Sequence, residues 1–252
     1  MALVDLSAWG SPAVLSQLGG HRNEVFRVAG DLVARRSRRS AASLDWELDL
    51  LAFVAAHGFV VAEVVPADDG RRHVDGVVVQ RWLPGRAPVA SDWPLVTAEL
   101  RRLHTLLAGW PQRPDFCSTR DLLTAARGGD VDLTAMPSAV VAVCRVAWAA
   151  LTGQETVIHG DPCAPNLRID GDRVGFLDWD ESRVDHPWLD LADLPMPALP
   201  PAEQAVAAAA IDAWETANAW LLEPDYARSR LAALTDRGHA WQTPRADNGR
   251  EA

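Results

Sequence analysis

The chain changes character at Leu83-Pro84-Gly85, and no other feature constrains its fold as strongly. Before that point, apolar residues come in short runs at 14–18, 24–29 and Leu32–Arg36, broken at Gly19-Gly20 and Gly30-Asp31. Such runs suit antiparallel hairpins. From Ser43 the spacing of Leu44, Leu48, Leu51, Ala52 and Ala55 predicts one face of a helix, with Gly58 as its stop. Residues 60–65 and 74–82 return to strand character, with Asp68-Asp69-Gly70 as the turn between them.

Past the break the spacing becomes helical. Ser91 or Asp92 is placed to cap a helix carrying Leu95, Leu100, Leu103 and Leu107, and Ser118-Thr119-Arg120-Asp121 has the form of a capping box before Leu122-Leu123. Further helices are predicted over 138–151, from Pro201 to about Leu222, and over 225–234, with a hairpin of 166–169 and 173–177 turning at Gly171-Asp172. The expectation is an α+β chain in two lobes with a cleft at their seam. An antiparallel sheet with one helix occupies 1–83, a hinge lies at about 81–86, and a mainly helical part follows over 87–252, its end from Thr243 expected to fray.

At 252 residues the chain has room for one large domain or two lobes. It carries 34 acidic against 24 basic residues, a net charge of −10, which argues against nucleic acid as a partner and is compatible with a cationic ligand. It contains no Lys, so every fixed cation other than His is Arg. Its three cysteines are widely separated and lack C-x-x-C spacing, which fits neither a disulfide framework nor a zinc site; Cys163 reads as a small loop filler rather than a nucleophile. The first residues show no basic-then-apolar leader, and the Ala-rich run 205–211 is too short to span a bilayer. A cytoplasmic protein with no membrane partner is expected, and its oligomeric state cannot be read.

The chemistry concentrates in Val157-Ile158-His159-Gly160-Asp161-Pro162-Cys163-Ala164-Pro165-Asn166 and Phe176-Leu177-Asp178-Trp179-Asp180. Asp161 follows a predicted strand, where a carboxylate can take a proton from a hydroxyl. Asn166 and Asp178 supply hard oxygen ligands suited to magnesium, and the hairpin would bring both to the same end. Singly, each residue reads as a turn or cap. The ordered set points to phosphoryl transfer, which needs a positioned nucleophile, a metal on the phosphates and cations to hold them.

Three segments, H-G-D-P-C-A-P-N, F-L-D-W-D and D-H-P-W-L-D-L-A, resemble the aminoglycoside phosphotransferase and choline kinase-like family of small-molecule kinases. Weaker matches run through L-G-G-H-R-N-E-V-F-R-V, L-V-A-R-R, V-V-V-Q-R-W-L-P-G and L-R-R-L-H. The resemblance implies the bilobal protein-kinase-like fold and the use of ATP with Mg2+. It further implies Asp161 as catalytic base, Asn166 and Asp178 as metal ligands, and Asp190 as a brace for the catalytic loop. His159 either helps to fix that loop or is a satisfied buried histidine.

The resemblance also implies Arg35 as the strand cation on the α/β phosphates and Glu47 as its helix partner. Asp45 and Asp49 fall on other helix faces, and Arg36, the rival of Arg35, alternates to the opposite side of the strand. Arg stands where protein kinases have Lys, which leaves ATP or GTP open. Gly19-Gly20-His21-Arg22-Asn23 lacks G-x-G-x-x-G; it reads equally as a phosphate cover using Asn23 and backbone amides or as a plain hairpin turn. The backbone of Arg81, Trp82 and Leu83 is expected to meet the adenine.

For the acceptor, a small-molecule alcohol of cationic type is suggested by the acid-rich stretch Asp180, Glu181, Asp185, Asp190 and Asp193. Asp180 and Glu181 are the substrate-facing candidates, although Asp180 reads equally as a solvated turn residue. Trp214 and Trp220 read as core before stacking platforms. An antibiotic such as an aminoglycoside is the preferred acceptor, with choline, a sugar or an amino alcohol as the metabolic alternative. Outside that class stand a catalytically silent nucleotide-binding protein and a metal-dependent hydrolase using His159, Asp161 and Asp178.

Overall fold

The computed structural model describes residues 4–19 and 23–242; Gly20-His21-Arg22 and the tail from Thr243 lie outside the described residues. Strands β1 (Val14–Gly19), β2 (Glu24–Val28), β3 (Leu32–Arg36), β5 (Val64–Val65) and β6 (Val77–Arg81) form an antiparallel sheet in the order β1-β2-β3-β6-β5. Helix α1 (Ala41–Ala56) packs beneath it. The helix starts before the expected Ser43, because the Ser40 side chain accepts the Ser43 amide at 3.3 Å and caps it. Its burial is also wider than one face. Ala52 and Ala55 are exposed, while Trp46, Leu50 and Val54 are buried together with Leu44, Leu48 and Leu51. The helix is therefore held between the sheet and the helical part, and a single-stripe reading could not capture that.

The expected strand over 60–65 divides. Its first half, β4 (Val60–Val61), leaves the sheet and runs parallel to a strand of the helical part, with Gly175 opposite Val60 and Phe176 opposite Val61. Only β5 stays with the sheet, and Arg81 donates its amide across the break to the Glu63 carbonyl at 2.8 Å. The expected strand over 74–82 begins late, at Val77, because Asp75-Gly76 makes a turn with both residues at positive φ.

The helical part comprises α2 (Trp93–Leu106), α3 (Ser138–Ala149), α4 (Trp188–Ala192), α5 (Pro201–Asn218) and α6 (Pro224–Gln242). Ser118 and Asp121 do bond reciprocally, but they cap only a single 3-10 turn over Asp121–Leu123. Between the helices lie the small hairpin β7 (Arg127–Gly128) with β8 (Val131–Asp132), and β9 (Thr156–Ile158) paired with β12 (Arg183–Asp185). The hairpin of β10 (Leu167–Asp170) and β11 (Arg173–Phe176) has Leu167 opposite Phe176, so Asn166 and Leu177 flank its open end.

Val78 of the sheet, Leu44, Leu48 and Leu51 of α1, Leu100 and Leu103 of α2, and Leu167, Ile169 and Phe176 of the hairpin share one core. A second core lies among α3, α4 and α5 around Trp148 and Trp214. At the hinge, Arg86 and Ile169 form a bridge, and a Cβ on Gly85 would sit 2.9 Å from the Ile169 carbonyl oxygen. Glycine is needed there because the two backbones are too close for a side chain.

Candidate active site

A cleft of about 700 Å³ opens between the sheet and the helical part. Asn23, Arg35, Glu47, Arg81, Trp82, Leu83, Asp161, Asn166, Asp178, Asp180 and Glu181 all line it. His159 and Asp190 lie behind its wall, 0% and 1% exposed.

The loop after β9 is held from behind. Asp190, at the start of α4, accepts the His159 amide at 2.8 Å and the Gly160 amide at 2.9 Å, and it also meets His104 Nε2 at 2.8 Å. Burial alone would raise the Asp190 carboxyl; the His104 hydrogen bond and charge outweigh it and hold the group below its ordinary value. Gly160 sits at φ +95°, and a Cβ there would come within 2.6 Å of the Glu181 carbonyl oxygen. The ring of His159 faces the Leu177 carbonyl through Nε2 at 2.9 Å and the Asp161 amide through Nδ1 at 3.3 Å. With its proton on Nε2, it donates to the first and accepts from the second. One buried ring thus joins the turn before Asp161 to the turn before Asp178.

Asn166 donates through Nδ2 to the Asp161 carbonyl at 3.0 Å and to Asp161 Oδ2 at 2.8 Å. Its own carbonyl accepts the Leu177 amide at 2.8 Å. Asp161, Asn166 and Asp178 are therefore brought together at one end of the hairpin. Asp178 takes φ +55°, a backbone state that Asp tolerates better than most side chains. Its residue surface is open to the cleft, yet protein crowds around the carboxylate, and this desolvation raises its pKa against the pull of Arg35. The Cys163 thiol, pushed up to about 12 by burial and by neighbouring Asp161, is no thiolate at neutral pH.

The opposite wall is a buried ionic network. Arg35, 5% exposed, bonds Glu47 Oε1 through Nη2 and meets Asp180 Oδ1 at 3.3 Å through Nη1. Glu47 presents its second oxygen to Arg113 at 2.8 Å. Arg39 donates to Asp180 Oδ2 at 2.7 Å and grips Asp130 with two bonds of 2.8 Å. Burial would raise the Asp180 carboxyl, but Arg35, Arg39 and Arg113 outweigh it and bring the group to about 2. Asp180 is thus engaged by arginines through both oxygens. Arg36 lies on the other side of β3 with Glu24, while Asp45 and Asp49 are exposed and paired with Arg72. Arg39, Arg113 and Asp130 were not singled out from sequence. They stand in loops, where no periodicity marks which side chains turn inward.

The remaining acids divide as well. Asp185 is buried, accepting from Thr119 and from Arg183 Nε. Glu181, held by Asn218 Nδ2 at 3.0 Å, lines the far end of the cleft with Asp193, Glu215, Glu223 and Tyr226. Trp214 is buried beneath the Arg183 guanidinium at 3.3 Å, and Trp220 donates to the Ala135 carbonyl. At the other end, Val25, Val33, Ala62, Leu83 and Phe176 give the cleft an apolar floor.

No curated protein matches the chain. Among solved structures, similar folds occur in a choline/ethanolamine kinase family protein from Mesorhizobium loti (22% identity, TM-score 0.63, covering 92% of this chain and 89% of that one). They occur also in the GDP and kanamycin complex of APH(2")-IIia (13% identity, TM-score 0.63, covering 93% and 97%). A third is the amicoumacin kinase hAmiN in complex with AMP-PNP, Ca2+ and Ami (17% identity, TM-score 0.58, covering 89% and 80%). These likenesses carry the bilobal protein-kinase-like fold. The family model described as phosphotransferase enzyme family matches residues 15–232. The chain belongs to that family and is a small-molecule phosphotransferase with a hydroxyl acceptor.

Proposed function

We propose that the protein transfers the γ-phosphate of ATP, with Mg2+, to a hydroxyl of an amine-bearing small molecule. The observation that carries this reading is the meeting of Asp161, Asn166 and Asp178 on one cleft, across from the buried Arg35–Glu47 pair. Asp161 is the base that takes the acceptor's proton. Asn166 orients it, and Asp190 and His159 hold the turn on which it stands.

The donor set suits a divalent cation. Asp178 is a carboxylate crowded by protein, and this desolvation raises its pKa against the pull of Arg35. The Asn166 amide nitrogen is already given to Asp161, leaving its oxygen for a metal. Asn166 and Asp178 would hold Mg2+, which neutralises charge on the phosphates when bound.

Arg35 would grip the α/β phosphates, kept in place by Glu47, and Asn23 would lie over them. The adenine would lie on the apolar floor. Arg81 and Trp82 already donate their amides to the Glu63 and Asp31 carbonyls, so the Leu83 amide is the hinge donor assigned to it. The AMP-PNP and Ca2+ of the amicoumacin kinase complex support a nucleotide with a divalent cation. The acids at the far end favour an amine-bearing acceptor, whether an aminoglycoside-like antibiotic or a smaller amino alcohol.

An ADP-release screen over aminoglycosides, other hydroxylated antibiotics, choline, amino alcohols and neutral sugars tests the reading. Magnesium-dependent turnover with an amine-bearing alcohol is expected. Equal ATP hydrolysis with and without every acceptor would instead identify a hydrolase and remove the proposal.

A further inference from the structure

Arg113 takes no part in the chemistry just assigned, yet it is the most completely engaged cation among the described residues. It is 1% exposed and stands in the loop between α2 and β7. Its Nε donates to Ser43 Oγ at 2.7 Å and its Nη2 to Glu47 Oε2 at 2.8 Å, both on α1. Its Nη1 donates to the carbonyls of Trp179 and Asp180 at 3.0 Å and of Ser182 at 3.2 Å. Neighbouring Gln112 exchanges two hydrogen bonds with the Val184 backbone, and the Pro111 carbonyl accepts Trp46 Nε1.

This short loop is therefore a strap with α1 on one side and the segment after Asp178 on the other. A guanidinium is the side chain for such a place, because its rigid fork meets carbonyls and a carboxylate at once. Lysine has one nitrogen and cannot span both sides.

We infer that Arg113 is a positioning residue that sets the distance between Glu47, and through it Arg35, and the loop that carries Asp178. The inference rests on the reading of Arg35 and Asp178 given above. Arg113 would thereby impose one geometry on two groups assigned to the same triphosphate, although it lies behind both of them.

The test uses the full chain and a fluorescent ATP analogue titrated with Mg2+. Arg113→Lys is expected to raise the Mg2+ concentration needed for half-maximal nucleotide binding by about 10- to 100-fold. Ser43→Ala, which removes one of the strap's bonds and leaves the charge, should move it the same way by about two- to tenfold. Leu122→Ala, a destabilising change in the helical core, should leave it in place.

In nucleotide-free protein, amide exchange across 178–182 should rise in Arg113→Lys and not in Leu122→Ala. A midpoint that moves no further than in Leu122→Ala, or exchange that stays at the parent level, overturns the inference. Should Arg113→Lys fail to fold, an unmoved midpoint in Ser43→Ala overturns it equally. A parent protein with no Mg2+ dependence of nucleotide binding would instead bring down the functional reading beneath it, which the same titration reports separately.

Discussion

The two walls of the cleft are built on opposite plans. On the sheet side Arg35, Arg39 and Glu47 are turned inward and paired with Arg113 and Asp180 of the helical part. On the helical side Asp161 and Asp178 have exposed surface, and Asn166 is half-buried. The difference separates two tasks. Asp161 and Asp178, assigned to the base and the metal, keep exposed surface, whereas Arg35, assigned to the phosphates, is sealed among the side chains that hold its geometry. Buried charge tolerates no missing partner, whereas an exposed carboxylate can lose its charge at little structural cost.

The sharpest way to break this contrast is Asp161→Asn. Turnover by ADP release should fall about 10²- to 10⁴-fold while the melting temperature stays near that of the parent. A melting temperature that drops along with activity would mean that the helical wall is structural too. Glu47→Ala probes the other wall, since it strands Arg35 and Arg113 without their shared carboxylate. A loss of about 3–5 kcal/mol in denaturant unfolding is expected, and an unchanged midpoint would show that the network is loosely held.

Acid should act on the brace behind the loop. The folded Asp190 carboxyl lies below its ordinary value of 3.8, so the unfolded chain binds the proton more readily. Its contribution is complete above the unfolded pKa and is lost as the pH falls below it. Melting curves recorded downward from about pH 6 should show this loss in the parent, and Asp190→Asn should flatten that limb. The smallest effect is expected at Ser40→Ala, which removes the cap of α1 outside the network. A cost of about 1 kcal/mol in unfolding, with nucleotide binding intact, would confine the network's influence to its own members.

Much of this arrangement was legible in the sequence. The strands and the β10–β11 hairpin announce themselves through period and turn residues, and Asp161, Asn166 and Asp178 through their spacing. The rest depends on which way loops fold back. Nothing local tells that Arg113, set between Gln112 and Pro114, reaches α1, or that Arg39 grips Asp130 at the tip of a distant hairpin. The acid-rich stretch shows the same limit. Asp180, Asp185 and Asp190 sit close in sequence to Glu181 and Asp193, yet the first three are occupied by arginines, threonine or backbone amides. Charge counted along a segment gives no direction. The run 60–65 misleads for a related reason, because its valines suit any sheet and only tertiary pairing assigns β4 and β5 to different partners.

That division of the valine run has a mechanical consequence. Val60 and Val61 are covalently part of the segment feeding the upper sheet, but they are hydrogen-bonded into the lower body alongside Gly175 and Phe176. The Leu83–Gly85 crossing is consequently not the sole tether between the two halves. The two-residue ladder joins the halves in addition to that crossing, to the shared core and to the Arg113 strap, and it opposes their separation.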